Sequence, residues 1–223
     1  MNLLEIKEIV SSKLQPELSK ILENINANSI DLNELDRPII GRVDLTPECE
    51  EREVRPLTQE EKDYYKERIG CSENLLENMT IDENGKIYIK TINEGKEGQT
   101  GEDGVLYERK TVEINGVEIE GVFPQFKSAI DVQLPEELIQ AKDAAQARYA
   151  NEALKEKVDS DPEFAEQFND EQLEQIKNGE TPDGYTWHHS EEYGEMQLIS
   201  TEDHQNNRHT GGKAIWGGGK ENR

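Results

Sequence analysis

Residues 111–120 read Thr-Val-Glu-Ile-Asn-Gly-Val-Glu-Ile-Glu, with apolar and acidic side chains alternating about a central Asn115-Gly116. A period of two puts the apolar side chains on one face of a strand. Asn-Gly supplies the two residues that most readily take the positive φ of a type I′ turn. The segment predicts a two-residue β-hairpin and commits the chain to at least one sheet. Patterning of this kind carries the fold argument, because composition alone points elsewhere. Hydrophobic and charged residues each make up 33% of the 223 residues, and the net charge is −24. Such a balance leans toward disorder unless the apolar residues are grouped into elements.

They are grouped. Leu3, Leu4, Ile6, Ile9, Val10, Leu14, Leu18, Ile21, Leu22 and Ile25 recur at helical spacing, with Pro16 dividing two helices. Residues 28–56 hold Pro38, Gly41, Pro47 and Pro56 and read as a linker. Residues 1–55 are therefore expected to be a helical N-terminal segment and linker. Thr58 and Glu61 form a capping box for a helix that runs to Ile69 and stops at Gly70. Asp82 to Gly85 is a turn before a strand at 86–92, and the glycine-rich segment Glu94 to Gly104 reads as a mobile loop. Beyond the hairpin, Ser128 to Leu134 is extended or irregular. A helix is expected over 135–158, a second from Asp161-Pro162, and a third from the capping box Asn169 to Gln172, closed by Gly179. The C-terminal window predicts a strand from Tyr185 to His189, a turn at Tyr193-Gly194, a strand from Glu195 to Ile199, and a helix capped by Ser200 or Thr201 and ended by Gly211-Gly212. The expected class is α+β.

All four histidines fall in that window: His188, His189, His204 and His209. Imidazole is the commonest metal ligand and the one side chain that titrates near neutrality unperturbed. Adjacent strand residues face opposite ways, so His188 and His189 should do different work. His204 lies on the first turn of the helix and can complete a site with one of them. His209, five residues on, is displaced by about 140° on an ideal helix. It can join His204 only if the helix unwinds near Asn206 to Arg208. Residues 181–223 carry four Lys/Arg against seven Asp/Glu, a net of −3, so nearly all the acidity lies outside the window. That removes part of the electrostatic objection to a nucleic-acid ligand.

The run Asp183-Gly-Tyr-Thr-Trp-His188-His189, then Met196-Gln-Leu-Ile, then His204-x4-His209-Thr-Gly-Gly, resembles the W-H-H branch of the HNH/endonuclease VII nucleases, which carry a ββα-metal (His-Me) finger. The resemblance extends upstream through Ile176-Lys-Asn-Gly and Tyr107-Glu-Arg-Lys-Thr to Arg55-Pro-Leu-Thr. It implies that residues 56–223 are a nuclease toxin domain with its ββα core at 183–212. It also implies an antibacterial DNase effector of the polymorphic-toxin kind, using a divalent ion (Mg, Mn, Ni or Zn), acting on DNA and neutralised by a cognate immunity protein. The toxin would stay in the producer cytoplasm until export, then act in the target-cell cytoplasm after delivery by a carrier or secretion system. By analogy with the paired histidines of nuclease colicins, His188 is a metal ligand and His189 the general base. His204 is the second ligand and His209 the third ligand or a phosphate contact. Arg208 and Lys213 are the candidate phosphate contacts. The last two histidines are one turn apart in colicins, whereas the spacing here is x4.

Each feature has a plainer reading. The same histidines could close a structural zinc site with four ligands and no base. Trp187 reads as a core or hairpin anchor rather than a base-stacking residue, and Trp216 as part of a flexible tail docked on the surface rather than stacked on DNA. Glu191, Glu192 and Glu195 read as solvated turn acids rather than a carboxylate ligand, and Tyr107 to Lys110 as the exposed start of a strand rather than a phosphate contact. Two other functions stay open: an RNase on the same finger, and a non-enzymatic acidic partner-binding module with a structural metal. No delivery domain is evident in the sequence, which leaves two expectations: an excised or stand-alone toxin module, or a carrier docked by residues 1–55. Two cysteines, Cys49 and Cys71, make no disulfide framework and read as reduced thiols. With acids inside its apolar stretch, the N-terminus does not read as a signal peptide, and no apolar run is long enough to span a membrane as a helix.

Overall fold

The computed structural model describes residues 53–222, with side chains through residue 220. The expected N-terminal helices, their break at Pro16, most of the linker and Cys49 lie outside the described residues. Residues 54 and 55, read as the end of the linker, begin the first strand, β1 (Val54–Pro56). Helix α1 (Gln59–Ile69) follows with both halves of the Thr58–Glu61 capping box formed and Gly70 in the left-handed conformation at its end. A one-turn helix, α2 (Glu73–Leu76), leads to strands β2 (Met79–Asp82) and β3 (Ile87–Ile89), which pair antiparallel across the expected turn. β2 was not anticipated, because its Met-Thr-Ile-Asp run is too short and mixed to show a period. β3 is shorter than the expected 86–92.

The expected hairpin is longer than its alternating stretch. β4 (Leu106–Ile114) and β5 (Val117–Gln125) pair in register from Leu106↔Gln125 to Ile114↔Val117. Asn115 (φ 51°) and Gly116 (φ 78°) occupy the turn, as a type I′ geometry requires. Val112, Ile114, Val117 and Ile119 are buried, while Glu113 and Glu118 are exposed. Glu120 departs from the pattern: it is buried, and Lys86 (2.8 Å) and Arg109 (3.5 Å) balance its charge. The five strands form one sheet in the order β1-β2-β3-β5-β4, with β3 and β5 parallel. The segment 94–104, expected to be a mobile loop, is a short 3₁₀ turn (Glu94–Lys96) and a loop pinned to β4. Gly98 donates to the Tyr107 carbonyl at 2.8 Å, and Arg109 pairs with Glu94 and with Glu97.

The chain passes through Phe126-Lys127 into a second sheet. Ser128 to Gln133, read as extended or irregular, is a strand, β6, whose pairing register shifts between Ser128 and Asp131. The helical region after it starts later than expected. A 3₁₀ turn (Glu136–Leu138) precedes α3 (Asp143–Ser160), and Ile139 between them is buried. α4 (Pro162–Ala165) starts from the Asp161 cap, and α5 (Asp170–Lys177) from the full Asn169–Gln172 capping box. Strands β7 (Tyr185–His189) and β8 (Glu195–Ser200) complete a three-stranded antiparallel sheet in the order β6-β8-β7. Helix α6 (Thr201–Asn206) follows β8 directly, with the Ser200 hydroxyl accepting from the Asp203 amide.

Gly211-Gly212 does not end this helix. α6 stops at Asn206, and Gly211 instead caps a further turn, α7 (Gly212–Ile215). The C-terminal segment is not a flexible tail either. Trp216 is fully buried, and its Nε1 donates to the Ser190 carbonyl at 3.0 Å. One apolar cluster joins the five-stranded sheet, α1 and α2 to Val132, Met196 and Trp216. A second packs Leu154, Phe164, Phe168 and Ile176 of the helical region against Leu198 of β8. Cys71 is a free, buried thiol whose titration burial pushes up to about 11. Among the described residues, no helix is long and apolar enough to cross a membrane.

Candidate metal centre

β7 presents two faces with different neighbours. Trp187 and His189 face α3: the Trp187 indole donates to Asn151 Oδ1 at 2.7 Å, and His189 Nε2 lies 2.9 Å from Gln146 Oε1. His188 takes the other face, is buried, and meets α6 and the turn after it. The two histidines face opposite ways, as strand alternation requires, and Trp187 is the anchor that its plainer reading suggested.

α6 unwinds where the geometry required. It ends at Asn206, and Asn207 adopts φ −112°, ψ 78°, which redirects the chain. His209 thereby swings back beside His204, with ring centroids 5.3 Å apart. His188 lies 4.7 Å from His209 and 5.6 Å from His204 by the same measure. One ligand atom from each of His188, His204 and His209 lies within 4.8 Å of the other two.

The turn is held by a buried polar cluster. Tyr107 Oη donates to Asn207 Oδ1 at 2.6 Å, and Asn207 Nδ2 donates to Asp103 and to the Asp203 carbonyl. The Asn207 carbonyl accepts from His209 Nδ1 at 2.6 Å. That bond fixes the proton on Nδ1 and leaves Nε2 as the nitrogen able to bind a metal, an arrangement common behind ligating histidines. Phe126, in the link between the sheets, covers the cluster, with ring centroids 5.0, 5.4 and 6.2 Å from His188, His209 and His204.

All three imidazoles are biased to the neutral form that ligation needs. Burial holds His188 well below the ordinary imidazole range, and His209, His204 and His189 push the same way. Burial lowers His204, with His209 adding to it. His209 is lowered by burial against the opposing pull of the Asn207 carbonyl and Glu191. Three neutral nitrogen donors suit a borderline divalent cation and leave further coordination positions open.

The remaining candidates fall in different places. Arg208 is exposed beside His209. Lys213 is buried, and its ammonium is directed inward to the Ala141 carbonyl (3.1 Å), Gln146 Oε1 (3.1 Å) and Asp143 (2.8 Å). Glu191 is a buried residue rather than a solvated turn acid, bonded to Lys110 at 2.6 Å and Gln125 at 3.3 Å. Burial opposes the Lys110 charge, but Glu191 and Glu192 outweigh it and raise the Lys110 pKa. Tyr107 is likewise buried rather than the exposed start of a strand. Gln146, Phe126 and Asn207 give no motif-level signal, since an isolated Gln, Phe or Asn is ordinary in a helix or loop.

No curated protein and no solved structure matches the chain. Residues 115–211 match the family model of the DNase/tRNase domain of colicin-like bacteriocins, a stretch that contains all four histidines. The match supports a nuclease toxin domain over that part of the chain.

Proposed function

We propose that this protein is a metal-dependent endonuclease toxin that hydrolyses DNA phosphodiester bonds, with His188, His204 and His209 as the metal ligands and His189 as the general base. The observation that carries the reading is the closure of three histidines, drawn from β7, α6 and the unwound turn, to within 4.8 Å of one another. The next residue along the strand is a fourth histidine held on the opposite face. A closed structural site would enlist that fourth imidazole as a ligand. Its engagement with Gln146 favours the catalytic reading over the structural-zinc one.

The β7–β8–α6 succession supports assignment to the ββα-metal finger of W-H-H type. A divalent cation held by the three imidazoles would polarise the scissile phosphate and offset charge on the leaving 3′ oxygen. His189 takes the proton from the attacking water. Arg208, exposed beside the third ligand, contacts a phosphate. Lys213 serves the fold around His189. The family description names tRNase as well as DNase domains, which keeps an RNA substrate as the second reading. A cognate immunity protein in the producer and delivery into a competitor cell complete the proposal.

The test is direct. The full chain, supplied in turn with Mg²⁺, Mn²⁺, Ni²⁺ and Zn²⁺, is incubated with plasmid DNA and with tRNA. Nicking and linearisation of plasmid are expected with at least one ion. Cleavage of tRNA alone moves the assignment to the second reading. Intact DNA and RNA under every ion rejects the enzyme.

A further inference from the structure

His189 does not stand alone on its face of β7. Gln146, on the first turns of α3, is fully buried, and its amide is oriented without ambiguity. Nε2 donates to two backbone carbonyls, Leu138 and Ile139, both at 2.8 Å. Oε1 is thereby left pointing at His189 Nε2 (2.9 Å) and Lys213 Nζ (3.1 Å). Lys213 is itself buried and fixed by the Ala141 carbonyl and Asp143. An amide oxygen can only accept, so His189 Nε2 carries the ring proton. In the neutral imidazole the other nitrogen, Nδ1, is then the acceptor. Trp216 flanks the same ring at 5.6 Å between centroids and also bonds the carbonyl of Ser190, the residue after His189.

We propose that Gln146, anchored by Lys213, is a positioning residue that fixes the tautomer and ring orientation of His189, so that Nδ1 is the atom that receives the proton from water. This rests on the reading of His189 as general base. The clamp would also explain two features the hydrolytic site does not use. One is a lysine buried in the C-terminal helical turn. The other is the 3₁₀ turn and loop that delay the start of α3, whose Leu138 and Ile139 carbonyls hold the Gln146 amide in place. A histidine base held in the wrong tautomer loses most of its effect even when its position is unchanged.

The experiment has two arms on the full-length chain. In the first, the protein is labelled with ¹⁵N-histidine and loaded with zinc, and long-range ¹H–¹⁵N spectra at pH 8 report which His189 nitrogen bears the proton. The expected result is Nε2–H. In the second, Gln146→Met is assayed for plasmid cleavage, metal affinity and His189 tautomer. The general-base contribution of about 10²–10⁴-fold bounds the effect. A fall of roughly 10²-fold in kcat is expected, with KM and metal affinity unchanged and the tautomer no longer purely Nε2–H. Where that variant does not fold, the wild-type spectrum decides. Cleaving protein with His189 protonated on Nδ1 overturns the clamp and leaves the nuclease intact, as does a folded Gln146→Met enzyme of wild-type rate. Protein that cleaves nothing while His189 shows Nε2–H overturns the nuclease reading, and the positioning role with it.

Discussion

Replacing Trp216 by Ala should destabilise the whole domain, although residues 211–219 read in the sequence as a glycine-rich tail. The indole is fully buried in the larger apolar cluster, and its Nε1 satisfies the Ser190 carbonyl at 3.0 Å. Truncating a core Trp or Phe to Ala costs about 3–5 kcal/mol. Leaving a buried carbonyl without its donor costs about 1–3 kcal/mol. Trp216→Phe separates these contributions, since it keeps much of the ring volume and removes the donor, and should cost about 1–3 kcal/mol. Against a total stability of about 5–15 kcal/mol, the loss in the Ala variant removes between roughly a fifth and the whole of the margin. For a domain of this size its loss translates to a Tm lowered by roughly 6–20 °C. Urea unfolding followed by far-UV circular dichroism gives the answer as a change in midpoint at constant slope. A Trp216→Ala unfolding free energy within about 1 kcal/mol of wild type would refute the claim that the C-terminal turn completes the core.

Three further outcomes follow from the same geometry. A Cβ at Gly212 would collide with the Ser190 carbonyl oxygen and lie 2.5 Å from Trp216 Nε1, so Gly212→Ala should cost about 1–3 kcal/mol by thermal denaturation. Tyr107→Phe strips the donor from Asn207 Oδ1 and loosens the turn whose carbonyl holds His209. By titration calorimetry it should weaken zinc binding by about 10–100-fold, the range for lost outer-shell partners, while the protein stays folded. The Glu61 carboxylate is held at about 2 by Arg55 and by the Thr58 amide and hydroxyl. Because that value lies below the unfolded one near 4.5, its contribution to the α1 cap is complete above about pH 4.5 and lost as the pH falls through about 2. NMR titration of the Glu61 side chain checks this, and a midpoint near 4.5 would contradict it.

The sequence was most readable where one local rule decides the structure. The Asn115-Gly116 turn, the capping boxes at Thr58 and Asn169, and the Ser200 cap need only short-range information, and each is found where its residues stand. The separation of His188 from His189 follows from strand alternation alone. The convergence of His209 with His204 followed from counting residues around a helix, which required a break that Asn207 supplies. What failed to show depended on long-range packing. The glycines at 211 and 212 looked like a terminator, but Gly212 serves a close approach to the Ser190 carbonyl, 22 residues earlier in sequence. Lys213 looked like a free cation because its partners Ala141, Asp143 and Gln146 lie about 70 residues earlier. Glu191 and Tyr107 looked exposed for the same reason, their partners being distant in the chain.

The proposed nuclease requires different roles for two adjacent residues of β7. The most direct measurement pairs zinc-binding calorimetry with plasmid cleavage for His189→Ala and His188→Ala. His189→Ala should bind one ion with wild-type affinity and lose cleavage by about 10²–10⁴-fold, the share of a general base. His188→Ala should lose both. A His189→Ala protein that cleaves at the wild-type rate, or that no longer binds the ion, would contradict the division of labour between the two faces of the strand.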